Sequence, residues 1–179
     1  MASAGTGNKT GCCRLLGAAL LASALLVGCG YRPVTKQGFL SEKNGVNVVL
    51  FANKTYRPGV EGVLARNLVD ELSLRTGGRV LSGDRADLEL SGVVLSYATT
   101  PVSFTALDTI KEYQTSIGVQ ATLRERRTRE ILWKGDLVEQ QVYPVNANIA
   151  LQQNAEEAAA AKICRRLSER IWQKISERF

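Results

Sequence analysis

Cys29 is the residue whose setting most directly points to chemistry. It stands behind Leu26-Val27-Gly28, at the end of an apolar run from Leu15 to Val27. That tetrapeptide resembles the bacterial lipobox, in which a thiol is alkylated with diacylglycerol before the chain is cut on its N-terminal side. A thiol suits the alkylation, and the small Gly28 leaves a peptidase room. Met1 to Arg14 carries Lys9 and Arg14 and no acid, a basic n-region ahead of an apolar h-region. The run is shorter than the ~20 residues of a spanning helix, and no basic stop-transfer cluster follows it directly. An ordinary secretory leader with a chance cysteine is the other reading of the same residues. Each buried acyl CH₂ contributes about 0.8 kcal/mol and one chain holds only marginally, so the diacylglycerol and N-acyl chain expected at Cys29 would anchor durably. Gly30, rather than Asp, follows the cysteine and points to the outer membrane. No other cofactor is expected.

The remaining reactive side chains offer little. The 179 residues include no histidine. That excludes Ser-His-Asp and Cys-His nucleophiles, HExxH zinc sites and histidine bases. No phosphate-cradling glycine motif or Gly-x-Ser-x-Gly elbow occurs, and Asp84 and Asp87 sit in turn-like sequence as loop and cap residues. No catalytic or metal-ligating residue is assigned. Of four cysteines, Cys12 and Cys13 leave with the leader and Cys29 takes lipid. Cys164 lies in an apolar helical stripe, as a small buried hydrophobe or else a reactive thiol. The formal charge of +6 falls to +4 once Lys9 and Arg14 are removed. This is a mild excess that suits phosphate or carboxylate neighbours, and nucleic acid is not an expected partner of an exported chain.

Two further groups have spacing that could bind rather than react. Arg124, Arg126, Arg127 and Arg129 crowd one turn, where guanidinium forks could pair with phosphates, although Glu125 and Glu130 dilute them. A turn charged only for solubility has the same composition. Asn53 and Thr55 precede a helix, either as partner contacts or as caps for local backbone groups.

These groups need elements to place them. Residues 1–28 read as the removed leader, 29–45 as lipidated terminus and tether, and 46–179 as one α/β domain with room for a real core. Val46–Phe51 is a short, nearly continuous apolar strand. Val60, Leu64, Leu68 and Leu72 recur at helical spacing until Gly77 and Gly78. Arg79–Leu81 could add a short strand, and Leu88–Tyr97 makes a longer one that Thr99-Thr-Pro101 should end. Over Lys111–Leu123, Tyr113, Thr115, Ile117, Val119, Ala121 and Leu123 alternate with Glu112, Gln114, Ser116, Gly118, Gln120 and Thr122. One row belongs to the core and the other to solvent or a partner. A tight turn over Glu125–Glu130 joins this strand to Ile131–Tyr143 as an antiparallel hairpin. From about Leu151 to Phe179, Ala155, Ala159, Ile163, Leu167, Ile171 and Ile175 mark a helix about 40 Å long. Trp133 and Trp172 are either core or exposed anchors. The expected fold is α+β, a two-layer sandwich. Its four-stranded, largely antiparallel or mixed sheet carries two helices on one face, in the order β-α-β-β-β-α.

Several stretches, in order, together resemble the LPS-assembly lipoprotein family, LptE. They are Gly28-Cys-Gly-Tyr31, Phe51-Ala-Asn-Lys-Thr-Tyr-Arg-Pro-Gly59, Ala86-Asp-Leu-Glu-Leu-Ser-Gly92 with Tyr97, Thr100–Phe104, Glu112-Tyr-Gln114, and Leu123–Gly135 ending in Ile131-Leu-Trp-Lys-Gly135. The resemblance implies a non-enzymatic, lipid-anchored plug inside an outer-membrane β-barrel, LptD, in the translocon that carries lipopolysaccharide to the cell surface. It makes Glu112, Gln114, Gln120, Asn53 and Thr55 candidates for facing the barrel, and the arginine turn a candidate for lipopolysaccharide phosphates. An ordinary solvated sheet face explains the polar row as well. The family's turn commonly reads Arg-Thr-Gly-Glu, and here Arg129 takes the place of a glycine that would serve a φ > 0 position, so either Arg129 is mildly strained or the turn type differs. An Asn-x-Thr turn before a helix also resembles lipoproteins that regulate a peptidoglycan synthase, which usually have a longer tether.

Overall fold

Period-two alternation over residues 111–123 becomes the centre of a five-stranded sheet. The computed structural model describes residues 43–178. The expectations for the leader, Cys29, most of the tether and Phe179 lie outside them. The elements are β1 (Val46–Val48), β2 (Ala52–Asn53), α1 (Val60–Thr76), a 3-10 turn (Gly83–Arg85), β3 (Leu88–Phe104), β4 (Ile110–Glu125), β5 (Ile131–Pro144) and α2 (Ile149–Arg178). The sheet runs β1-β3-β4-β5 with β2 also on β3. β1 and β2 lie parallel to β3, while β4 is antiparallel to both of its neighbours, β3 and β5. The expected α+β sandwich with a mixed sheet is what forms.

The two rows of β4 part as the alternation dictates. Thr115, Ile117, Val119, Ala121 and Leu123 are buried in one core with Leu64, Leu68 and Leu72 of α1 and Ile163, Leu167, Ile171 and Ile175 of α2. Both helices therefore cover the same face. Trp133 and Trp172 are partly buried against this core. Cys164 is fully buried, and burial pushes its thiol up to about 12, so it is a packing residue and not a thiolate at neutral pH.

Four local details differ from the sequence reading. The first strand arrives as two pieces, because the chain leaves the ladder after Val48 and turns Phe51 into the core. Arg79–Leu81 contributes a single bridge, Val80 to Val46, rather than a strand. β3 does not end at Thr99-Thr-Pro101 but continues to Phe104. Among the described strands, β2 stops pairing at Val94, so Pro101 sits on an open edge where its missing N–H breaks no ladder. α2 begins at Ile149 rather than near Leu151, because Asn148 Oδ1 caps it, accepting from the amides of Ala150 at 2.9 Å and Leu151 at 3.2 Å.

The two glycines on the helix-facing side of the sheet are each roofed by an aromatic ring. A Cβ on Gly92 would collide with the Phe51 ring and with the Gln120 carbonyl. One on Gly135 would meet Trp133 at 2.7 Å. The inward turn of Phe51 and the absence of a side chain at position 92 are thus one packing solution.

Candidate functional site

Glu125 N donates to Glu130 O at 2.9 Å and Arg129 N donates to Glu125 O at 2.8 Å, closing the loop Arg126–Arg129. Such a loop ends in a left-handed residue, and Arg129 has φ 62°. The strain expected where the family commonly places glycine is therefore present. An L side chain there costs about 1 kcal/mol relative to glycine. Arg129→Gly should raise stability by about that much in urea unfolding. A loss of stability would mean that the Arg129 side chain makes a contact worth more than the strain.

The four arginines do not form one cluster. Arg126 is committed to the loop before β3, through Gly83 O and Asp84 Oδ1 at 2.7 Å, and its amide donates to Asp87 O at 2.8 Å. Arg124 lies on the sheet face, 4.0 Å from its cross-strand neighbour Glu89. Arg127 and Arg129 are the exposed pair. Beside them, Lys43 Nζ reaches Glu125 at 2.7 Å and Asn44 N donates to Asp87 Oδ2 at 2.9 Å, so the described chain enters the domain at the arginine turn. The hydrogen bond from Lys43 holds the Glu125 carboxyl below its ordinary value, and the same bond raises Lys43. A cleft of about 390 Å³ opens here, lined by Lys43, Asp84, Asp87, Glu125, Arg126 and Arg127.

Asn53 and Thr55 form the scaffold of the loop before α1. Asn53 Oδ1 accepts from the Thr55 amide and hydroxyl, both at 2.8 Å, and Asn53 Nδ2 donates to Arg57 O at 2.8 Å and to Glu61 Oε2 at 2.7 Å. Glu61 also accepts from Gly59 N at 3.2 Å, supplying the cap that Gly59 cannot. Hydrogen bonds from its own amide, Asn53 and Gly59 keep the Glu61 carboxyl below its ordinary value. The loop displays Tyr56, which meets Tyr97 edge-on at 5.7 Å.

The polar row Glu112, Gln114, Ser116, Gln120 and Thr122 occupies the sheet face opposite the helices, and no described element covers it. Its members are tied across strands: Gln114 to Gln140 at 2.9 Å, Gln120 to Asp136 at 2.8 Å, and Glu112 to Ser103 at 2.7 Å.

A further group was missed in the sequence. The phenol of Tyr97 donates to Glu156 at 2.8 Å, Arg57 lies over the Tyr97 ring at 6.0 Å, and the same guanidinium stands 3.6 Å from Glu157. Burial, then the Glu156 carboxylate, raises the Tyr97 phenol above its ordinary value, so it stays a neutral donor. Residues 59 apart in sequence carry no spacing signal that would pair them. A tyrosine on the core row of a strand, which must satisfy its hydroxyl, was the available hint.

A two-layer α+β domain with both helices on one face of a mixed sheet is the class that this arrangement defines. Solved structures share it: lipoprotein B from Nitrosomonas europaea (14% identity, TM-score 0.53, covering 74% of this chain and 82% of that one), rare lipoprotein B from Shewanella oneidensis (16%, 0.52, 73% and 94%) and a lipoprotein from Caulobacter crescentus (11%, 0.53, 71% and 88%). At these identities the likeness establishes the fold. No curated protein matches by sequence. The profile of the LptE family, Lipopolysaccharide-assembly, matches residues 44–175, and the chain belongs to that family. It is a lipid-anchored outer-membrane lipoprotein of lipopolysaccharide assembly, with no catalytic role.

Proposed function

We propose that this lipoprotein is the plug of a lipopolysaccharide translocon, seated in an LptD-like outer-membrane β-barrel and held beside it by the lipid at Cys29. The observation that carries this reading is the division of the sheet. One face is sealed by α1 and α2, and the other, bearing Glu112, Gln114, Ser116, Gln120 and Thr122, is left uncovered by any described element. A rigid body with a polar, hydrogen-bonding face suits a polar barrel lumen. Arg127 and Arg129 are the arginines left to meet lipopolysaccharide phosphates, since Arg124 and Arg126 already have acidic neighbours. Asn53 and Thr55 serve partner contact by fixing the loop that displays Tyr56, because their own side chains are engaged within it.

The test is affinity purification of the full-length lipoprotein from detergent-solubilised membranes. Near-stoichiometric recovery of a large outer-membrane barrel, identified by mass spectrometry, is the expected result. Recovery of the lipoprotein alone while the barrel is plainly present, or of a peptidoglycan synthase in its place, would sink the plug reading.

A further inference from the structure

The excess charge of the domain is gathered at one end. Residues 43–178 carry nineteen basic and sixteen acidic side chains, an excess of three. The segments 43–45, 79–87 and 124–130 hold seven of those bases and four of those acids, the same excess of three, so the remainder balances. The sheet brings these segments together: Leu88 stands opposite both Val46 and Glu125, Val80 bridges Val46, and Arg126 N donates to Asp87 O. Three of the four acids are committed. Asp84 pairs with Arg126, Glu125 with Lys43, and Asp87 accepts from Asn44 N. Arg85, Arg127 and Arg129 are exposed and enter no ion pair among the described residues. Ile131, 56% exposed, follows the turn directly. The other end is the reverse, since residues 96–107 and 142–155, which lead into the β3–β4 turn and the start of α2, contain no charged side chain.

The basic end is also where the chain from Cys29 joins the domain, and the joint is rigid. Lys43 and Asn44 are held by Glu125 and Asp87, Gly45 O accepts from Leu88 N at 3.2 Å, and Val46 N donates to Arg79 O at 3.0 Å. Gly45 has φ 107°, and a Cβ there would collide with Arg79 O. Fourteen peptide units separate Cys29 from Lys43, a reach of at most about 50 Å. β4, which runs from the uncharged end to the arginine turn, is itself about 50 Å long. A domain with its basic end turned away from the membrane would therefore need that whole segment drawn out along its side. The basic end is the one that the length of chain keeps near the leaflet.

We infer that this end rests on the leaflet that holds the lipid of Cys29, with Arg85, Arg127 and Arg129 paired to the phosphates of anionic phospholipid headgroups. The inference takes from the proposed function the lipid at Cys29 and nothing of the barrel. Guanidinium forks match phosphate oxygens two at a time, and an exposed aliphatic side chain beside them suits the boundary between headgroup and acyl chain. Each arginine near an anionic surface is worth roughly a fivefold gain in partitioning, so three amount to on the order of a hundredfold, lessened by salt. Lipopolysaccharide offers the same phosphate chemistry. The tether, however, guarantees the neighbourhood of the anchoring leaflet whether or not lipopolysaccharide is present.

The experiment places the full-length lipidated chain in vesicles of phosphatidylcholine with or without phosphatidylglycerol, each doped with lipid bearing a nitroxide on its headgroup. A fluorophore is attached through Ser82→Cys at the basic end or Ala106→Cys at the other; Cys164 is buried and stays unlabelled. Quenching at least threefold stronger at position 82 than at 106 is expected with phosphatidylglycerol. It should fall to the level at 106 in high salt and in the combined variant Arg85→Ser, Arg127→Ser, Arg129→Gly, with melting unchanged. Equal quenching at the two positions, or quenching at 82 indifferent to salt and to the combined variant, overturns the inference. Quenching at 82 that appears only when lipopolysaccharide replaces phosphatidylglycerol overturns phospholipid as the occupant. A chain that carries no lipid at Cys29 overturns the anchor and this inference with it. The vesicles hold no barrel, so none of these results bears on the seating of the plug, and failure to recover a barrel leaves this inference standing.

Discussion

Gly92→Val should lower the stability of the domain by about 3 kcal/mol, the upper part of the range for forcing atoms into a packed core. The position has no free volume. A Cβ there meets the Phe51 ring and the Gln120 carbonyl, one a packed aromatic and the other backbone of the central strand, and neither can move alone. Phe51 is 2% exposed, so its ring has no solvent-side alternative that keeps it buried. The expected fall in melting temperature is about 6–12 °C for a domain of this size. Gly118 provides the comparison on the other face of the sheet. A Cβ there meets Ser96 Oγ at 2.5 Å, a hydroxyl that one bond rotation can move, and Val138 at 3.6 Å, an ordinary contact. Gly118→Ala should therefore change stability by no more than about 1 kcal/mol. Equal effects at the two positions would show that strand propensity, and not the Phe51 ring, governs both.

With residues 1–28 exchanged for a secretory leader that is cut without lipid, Cys29→Ser should move the protein from the alkaline-washed membrane fraction to the soluble fraction without changing the melting of the domain. A serine hydroxyl is not alkylated in the thiol's place, so the acyl chains are lost together. At about 0.8 kcal/mol per buried CH₂, two or three chains account for a lasting anchor where a single chain binds only reversibly. Among the described residues no helix is long and apolar enough to cross a membrane, so no described helix would compensate. The measurement is the distribution of the variant between supernatant and membrane after alkaline washing. Persistence in the washed membrane at parental levels would mean that something other than lipid, the barrel included, holds the chain there. A second readout is barrel recovery. If the plug fits as proposed, the soluble variant should still bind the barrel in detergent, because the lipid raises local concentration without forming part of the docking face.

How far the site was legible depends on how local its cause is. The β4–β5 hairpin was readable because alternation and a turn are properties of neighbouring residues. The strained Arg129 was readable for a similar reason, since the turn that fixes its φ is built from the six residues 125–130. The division of the arginine group, by contrast, is not legible in the sequence. Arg126 finds its acid 42 residues away at Asp84, and a run of like charges in sequence does not reveal which members are already paired. The end of β3 was misplaced because Pro101 breaks a strand only where its N–H is needed, and the absence of a neighbour on that edge is a matter of topology.

By itself, the sequence determined the anchor chemistry expected of Cys29, the exclusion of histidine-dependent catalysis, the α+β class and the two rows of the central strand. Each follows from residue type or from a period of two or four, which the backbone geometry of strands and helices imposes locally. The tertiary structure alone decided that Phe51 roofs Gly92, that Tyr97 bonds Glu156, that Arg126 is tied to Asp84, and that a bulge sets Ser96 opposite Gly118 on the face left bare. These depend on which distant segments meet. Such meetings are selected by the fit of the whole core, and no stretch of the chain encodes them alone.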